Sequence, residues 1–316
     1  MANFSTCNHS KLFIDIEDFV EKTIYHSGNI GWEGFKQELE FLINEIDFEY
    51  DDNLWYSAYI QAILQLKKQN TINGKVDYEQ LYQMKFEDVQ AFFTTFVRQR
   101  EVERKNFYQA EERNREQLLK HIDNLTQHYS KLLFVRVDLA YIKEKHADID
   151  IRLFRDDVQK LIGYIQDGDR CFSDLEGYAW ALEQGEEKGY HCHLLMIYNG
   201  AVKKQDYYYA NEVIERWKQI TKQDGYGFNC NSTEHKEQFR KSGKLGIGMI
   251  YRNDLRSVEN AKHVCSYLVN PEKDKQYLRV KPLRMRTFGM SKYRRSDRRY
   301  RERTSFRNNF EYISSR

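Results

Sequence analysis

Apolar residues recur every three or four positions through most of residues 11–125. In KLFIDIEDFVEKTIY, the apolar positions Leu12, Phe13, Ile16, Phe19, Val20 and Ile24 repeat with a period near 3.6, the mark of an amphipathic helix. GWEGFKQELEFLINEI and LWYSAYIQAILQLKKQ continue the pattern, and residues 86–129 predict one or two long helices that grow more charged toward their end. Within that span, Arg98–Lys120 reads as an exposed connecting helix or an arm lying on nucleic acid. The period then changes. In LLFVRVDLAY, Leu132–Tyr141, Val135, Val137 and Leu139 alternate with Arg136 and Asp138, as in a half-buried strand. An amphipathic helix follows through Phe154, Val158, Leu161, Ile162 and Ile165. GYAWALEQ and HCHLLMIYNG are two strands around the turn-rich GEEKG and predict a hairpin. A helix at 209–223, a strand at GIGMIYR and a helix at 254–269 with Asp254 as its N-cap come next. QYLRV, 276–280, is a last short strand. The order β-α-β-β-α-β-α-β predicts an α+β fold: a helical region first, then a mainly antiparallel sheet starting near residue 130.

Length and charge refine this division. With 316 residues the chain has room for two domains, and the pattern divides it into an acidic helical region at 1–128, a sheet domain at 129–292 and a basic tail at 293–316. Residues 1–100 hold 9 Lys/Arg against 16 Asp/Glu, a balance of −7; residues 279–316 hold 13 against 3, a balance of +10. The overall +2 hides this asymmetry, and a tail in which aromatics lie among arginines suits a phosphate backbone, unless it is a solvated tail with no partner. Five scattered cysteines, none in a C-x-x-C pair, argue against a disulfide framework or a cysteine-rich zinc module. No signal-like start and no apolar run near the ~18 residues of a membrane span are present, so a reducing cytoplasmic setting is expected.

Candidate chemistry centres on GYHCHLLMIY. On a strand, His191 and His193 project to one face and Cys192 to the other. The pair either grips a metal ion or sits half-exposed on a polar face. If the hairpin forms, Glu183 comes opposite them, and one carboxylate with two imidazoles leaves positions open for a phosphate oxygen. Mg²⁺ or Mn²⁺ would suit such a set, with Zn²⁺ as a third choice. Asp138 either supports a ligand histidine through its second ring nitrogen or pairs with Arg136. Tyr267, near the end of its helix with His263 a turn before and Asn270 a turn after, is either a nucleophile toward a phosphodiester or a packing residue. The other histidines, His9, His26, His121, His128, His146 and His235, lack ligand spacing and read as surface residues.

Taken in order, a VRVDL strand, a Glu-bearing strand, His-apolar-His and a helix carrying Tyr resemble the HUH endonucleases. More narrowly, LLFVRVDLAY, GYHCHLLMIYNG, SYLVN with KDKQYLRVK, and RMRTFGMS resemble the inovirus gene-two-product-like replication proteins, also described as YagK/YfjJ-type domains, over roughly residues 130–292. The resemblance implies a five-stranded antiparallel sheet flanked by helices and a divalent metal on Glu183, His191 and His193. It also implies a nick in single-stranded DNA by Tyr267, leaving a 5′-phosphotyrosine and a free 3′-hydroxyl that primes rolling-circle replication of a phage or mobile element. The family-like Y-x-x-K reads Tyr267-Leu-Val-Asn270 here, so the lysine is replaced, with Lys273 and Lys275 near enough in sequence to compensate and Tyr277 as an alternative nucleophile. Lys273, Lys275, Arg279, Arg284, Arg286, Lys292, Arg294 and Arg295 are the expected DNA contacts. Expected partners are single-stranded DNA or an origin hairpin, with a host helicase, a polymerase or a second copy of the chain for the helical region. Two other readings stay open: a non-cleaving origin- or operator-binding protein on the same fold, and a metallohydrolase that activates water. The absence of P-C-x-x-C argues against a nucleobase deaminase among the latter.

Overall fold

The computed structural model describes residues 8–27, 31–270 and 275–293, without the side chains of 47–49. Helix α1 (His9–Tyr25) starts at Asn8, whose side chain accepts the Lys11 N–H and satisfies one of the free donors of the first turn. Then come α2 (Trp32–Glu49), β1 (Leu54–Tyr56) and α3 (Ala58–Gln69). A small hairpin of β2 (Thr71–Ile72) and β3 (Lys75–Val76) turns on Asn73-Gly74, both at positive φ as a two-residue hairpin turn requires. Helices α4 (Tyr78–Gln83) and α5 (Phe86–Thr94) lead into α6 (Val97–His128), 32 residues long and mostly exposed over its first half.

The sheet region runs β4 (Lys131–Tyr141), α7 (Ile151–Asp167), β5 (Leu175–Gly185), β6 (Gly189–Asn199), α8 (Asp206–Ile220), β7 (Gly225–Asn229), α9 (Thr233–Lys241), β8 (Gly248–Tyr251), α10 (Leu255–Ser266), β9 (Val280–Pro282) and β10 (Phe288–Met290). Six strands form the main sheet in the order β10-β5-β6-β4-β7, every pair antiparallel, with β8 sharing the β7 side of β4. The gap between β7 and β8 is bridged by a side chain: buried Asn231 accepts from the Arg136 N–H and donates to the Phe134 carbonyl.

The α+β class and antiparallel sheet follow the pattern of the sequence, with six strands where five were expected. Three details differ. Residues 54–56 form a strand rather than the start of a helix, because Leu54 and Tyr56 face the core and the segment pairs with β9. The segment 276–280 leads into β9, outside the main sheet, whose outer strand is β10 instead. Strand β7 and helix α9 lie in a stretch where the sequence pattern suggested no element.

Alternation along β4 and β6 sends successive residues to opposite faces. On one face Val135, Val137, Leu139, Tyr190, Cys192, Leu194 and Met196 join a core with α1, α3, α7 and α8, where Phe154 stacks on Tyr190 with ring centres 5.5 Å apart. That core runs from Leu12 to Val280, so the helical region and the sheet bury one shared interior. On the other face Leu132, Phe134, Leu195 and Ile197 pack under the second half of α6, through Leu118, Ile122 and Leu125, and under α10. This cover reaches only part of the face; the stretch holding Arg136, Asp138, His191 and His193 lines a cleft.

Candidate metal centre

The β5–β6 hairpin sets the site. A three-residue loop, Glu186–Lys188, ends at Gly189, whose φ of 62° is the left-handed conformation that closes such loops. With Gly185 opposite Gly189, the register puts Glu183 opposite His191. His193 pairs with Asp138 of β4 on its other side.

The three donors converge. Glu183 Oε2 lies 3.3 Å from His191 Nε2 and 3.1 Å from His193 Nε2, and all three residues are buried. Each ring is oriented from its far nitrogen: His191 Nδ1 donates to the Gly189 carbonyl at 3.1 Å, and His193 Nδ1 donates to Asp138 Oδ1 at 2.7 Å. Both Nε2 atoms therefore face Glu183, the arrangement in which outer hydrogen bonds fix the tautomer of a ligating histidine. Donors held ~2.1 Å from one ion stand about 3.0 Å apart in octahedral and about 3.4 Å apart in tetrahedral geometry. The two Glu–His separations are compatible with a shared metal ion, and among the described residues these three are the group of His, Cys, Asp and Glu whose donors cluster, within 4.8 Å of one another.

Charge reinforces the geometry. Burial alone would raise the Asp138 carboxyl, but the hydrogen bond to His193 and the Arg136 guanidinium 3.2 Å away hold it well below the usual carboxylate range. Asp138 thus bonds His193 and pairs with Arg136 at once. Burial opposes a charge on His193, yet Asp138 and Glu183 on its two nitrogens outweigh this and raise its pKa. An ion taking Nε2 would displace a proton there.

Tyr267 stands at the same cleft, of about 830 Å³, and its side chain is 51% exposed. The Arg136 guanidinium lies 5.8 Å from its ring and 3.4 Å from His193 Nδ1, linking the tyrosine to the cluster. Helix α10 ends at Ser266, so Tyr267 caps it and Asn270 does not lie one turn further along its face. The residue before Pro271 is biased away from helix, and Leu268 and Val269 turn into the core instead. Asn270 lines an adjoining cavity with Glu183.

The expected DNA contacts separate. Lys275 is exposed on the cleft, while Arg284 is exposed elsewhere. Arg286 and Lys292 line a groove of about 690 Å³ between α6 and β10, beside Lys120. Lys273, Arg294 and Arg295, with residues 296–316 of the tail, lie outside the described residues. Arg279 is not a surface cation: it is 4% exposed and its Nε pairs with Glu17 at 2.8 Å, because the same basic segment supplies the partner for a buried acid of α1. Tyr277 is half-buried with its hydroxyl on Glu17, and desolvation of the hydroxyl beside that carboxylate pushes its pKa well above 10. His9 and His121 are also buried rather than superficial; His9 packs edge-on to Phe13 and hydrogen-bonds the Tyr190 hydroxyl, and His121 lies 3.0 Å from Ser291 Oγ.

The α1 tether was not legible in advance. Glu17 gathers Ser57, Tyr277, Arg100 and Arg279, and Gln184 donates to the Ser10 carbonyl while accepting from the Arg279 N–H. These bonds press α1 against the ligand hairpin and make it a wall of the cleft, which Glu17, Asp18 and Glu21 line.

Residues 94–240 match the family described as the YagK/YfjJ C-terminal domain. The matched stretch runs from the last residue of α5 into α9, so it includes Glu183, His191 and His193 and stops short of Tyr267. No curated protein matches the chain. No solved structure matches it either. Among the described residues no helix is long and apolar enough to cross a membrane.

Proposed function

We propose that this protein is a metal-dependent nickase of single-stranded DNA that starts rolling-circle replication, with Tyr267 as nucleophile. The observation that carries the reading is the convergence of Glu183, His191 and His193 beside a cleft that both histidines line together with Tyr267. A bound Mg²⁺ or Mn²⁺ would draw electron density from a non-bridging phosphate oxygen. Tyr267 Oη attacks phosphorus, the P–O3′ bond breaks, and the phenolic proton ends on the departing 3′-oxygen. The products are a 5′-phosphotyrosine and a free 3′-hydroxyl. Lys275 and Lys188, both on the cleft, offer positive charge to the strand where the family-like lysine is Asn270. Tyr277 is a poor alternative, since its hydroxyl donates to Glu17.

The test is a denaturing gel of the protein with end-labelled single-stranded origin DNA and Mn²⁺, run beside Tyr267→Phe and His191→Ala. Label shifted to protein size in wild type alone supports the nickase. Cleavage without a shifted band would replace it with the water-activating hydrolase. Binding by all three proteins with no cleavage in any would leave the non-cleaving DNA-binding reading.

A further inference from the structure

Strand β7 reads Gly225-Tyr-Gly-Phe-Asn229, and its two faces have opposite characters. Toward α8, a Cβ on Gly225 would come within 2.4 Å of Thr221 and one on Gly227 within 2.6 Å of Ile214, so only glycine fits there. Tyr226 and Phe228 point the other way, 50% and 40% exposed. The core of the fold makes no use of them. Phe228 is registered opposite Asp138, which is opposite His193. Residues paired across a sheet share a face, so these rings stand on the metal face, Phe228 two strand spacings or about 10 Å from His193.

The rings are not isolated. His235 of α9 meets Phe228 at 5.2 Å between ring centres and Phe239 at 5.0 Å. Tyr226 and Phe228 line a cavity of about 370 Å³ that also reaches Asp138 and His191, with Lys143 and Lys188 alternating with Glu144 and Glu187 at its edge. Single exposed aromatics are common on protein surfaces; a pair of rings one strand period apart that opens beside the Glu-His-His cluster has a more specific occupant. Alternate residues on a strand are about 6.8 Å apart, twice the ~3.4 Å stacking rise of nucleic-acid bases. One unpaired base fits that interval.

Resting on the nickase reading above, we propose that Tyr226 and Phe228, backed by His235 and Phe239, form a stacking platform for unpaired bases adjoining the scissile phosphate. The platform selects single-stranded over duplex DNA, because paired bases do not offer their faces.

The experiment measures binding of a short single strand carrying 2-aminopurine, in EDTA so that no cleavage intervenes, with a duplex of the same sequence as control. Tyr226→Ala and Phe228→Ala each weaken single-strand binding about 5- to 150-fold, the range for losing one base–aromatic stack, and abolish the quenching of 2-aminopurine. Duplex binding stays as in wild type. Phe228→Trp retains both signals, and Phe228→Leu, which keeps apolar bulk without an aromatic face, behaves as the alanine variant. Wild-type affinity and quenching in Phe228→Leu or in the alanine variants overturns the platform, as does a wild type that binds no single strand. A quenched wild type that forms no covalent adduct with Mn²⁺ would sink the nickase and keep the platform; adduct formation indifferent to both aromatics would do the reverse.

Discussion

Replacing Asp138 with asparagine separates an oriented metal ligand from a mere ion pair. The Asp138 carboxylate accepts from His193 Nδ1 at 2.7 Å and from Arg136 at 3.2 Å, and its side chain is 15% exposed. Asparagine keeps the shape and one acceptor but loses the charge that makes His193 Nε2 a stronger donor. A hydrogen bond to a charged group contributes about 1.5–3 kcal/mol, and outer-shell carboxylates change metal affinity by roughly 10- to 100-fold. The expected result for Asp138→Asn is therefore a Mn²⁺ dissociation constant raised about 10- to 100-fold, or about 1.4–2.7 kcal/mol. His191→Ala, which removes a ligand outright, should do more. Isothermal titration of Mn²⁺ at fixed pH reads both, and thermal melting checks that the variants remain folded. A dissociation constant within twofold of wild type for Asp138→Asn, beside a large loss in His191→Ala, would refute the reasoning and leave Asp138 a partner of Arg136 alone.

Acid should loosen α1. Burial, with a smaller contribution from Arg152, lowers the His9 pKa from 6.5 to about 3. The neutral ring is the one the fold accepts, so its contribution is complete above pH 6.5 and is lost as pH falls toward 3, by up to ~1.4 kcal/mol per unit. Urea unfolding at pH 7 and pH 5 should show wild type losing about 2 kcal/mol more than His9→Gln over that interval, and equal losses would discount His9. Glu17→Ala strands buried Arg279 and should destabilise by about 3–5 kcal/mol in the same assay; a change under ~1 kcal/mol would mean the network is not closed as described. Tyr277→Phe should lose stability modestly while still forming the covalent DNA adduct, and loss of the adduct in a well-folded Tyr277→Phe would reopen the choice of nucleophile.

How much could be read from the chain depended on whether a signal was local. The alternation that sends His191 and His193 one way and Cys192 the other lies within three residues, and the hairpin that brings Glu183 opposite is closed by its own turn. Strand β7 escaped because its inward positions are glycines, forced by α8 packing against them, and glycine carries little strand signal. Strand β10 escaped for a similar reason: Gly289 sits where a Cβ would meet the Trp180 ring at 2.4 Å. Arg279 was misread because its neighbours in sequence are basic, while its actual partner, Glu17, lies near the other end of the chain. Residues bound by distant partners have no pattern to find.

That last pairing bears on how the protein is made. Glu17 is synthesised well before Tyr277, 260 residues further along the chain, and Arg279, so at about 5–20 residues per second the acid waits roughly 13–50 s for them. Strand β10 arrives later still. During that interval the hairpin with Glu183, His191 and His193 can already exist, but the wall against it cannot lock. A nascent chain thus carries an unfinished cleft until Tyr277 and Arg279 have been synthesised, and the order of translation itself delays the moment at which the site is complete.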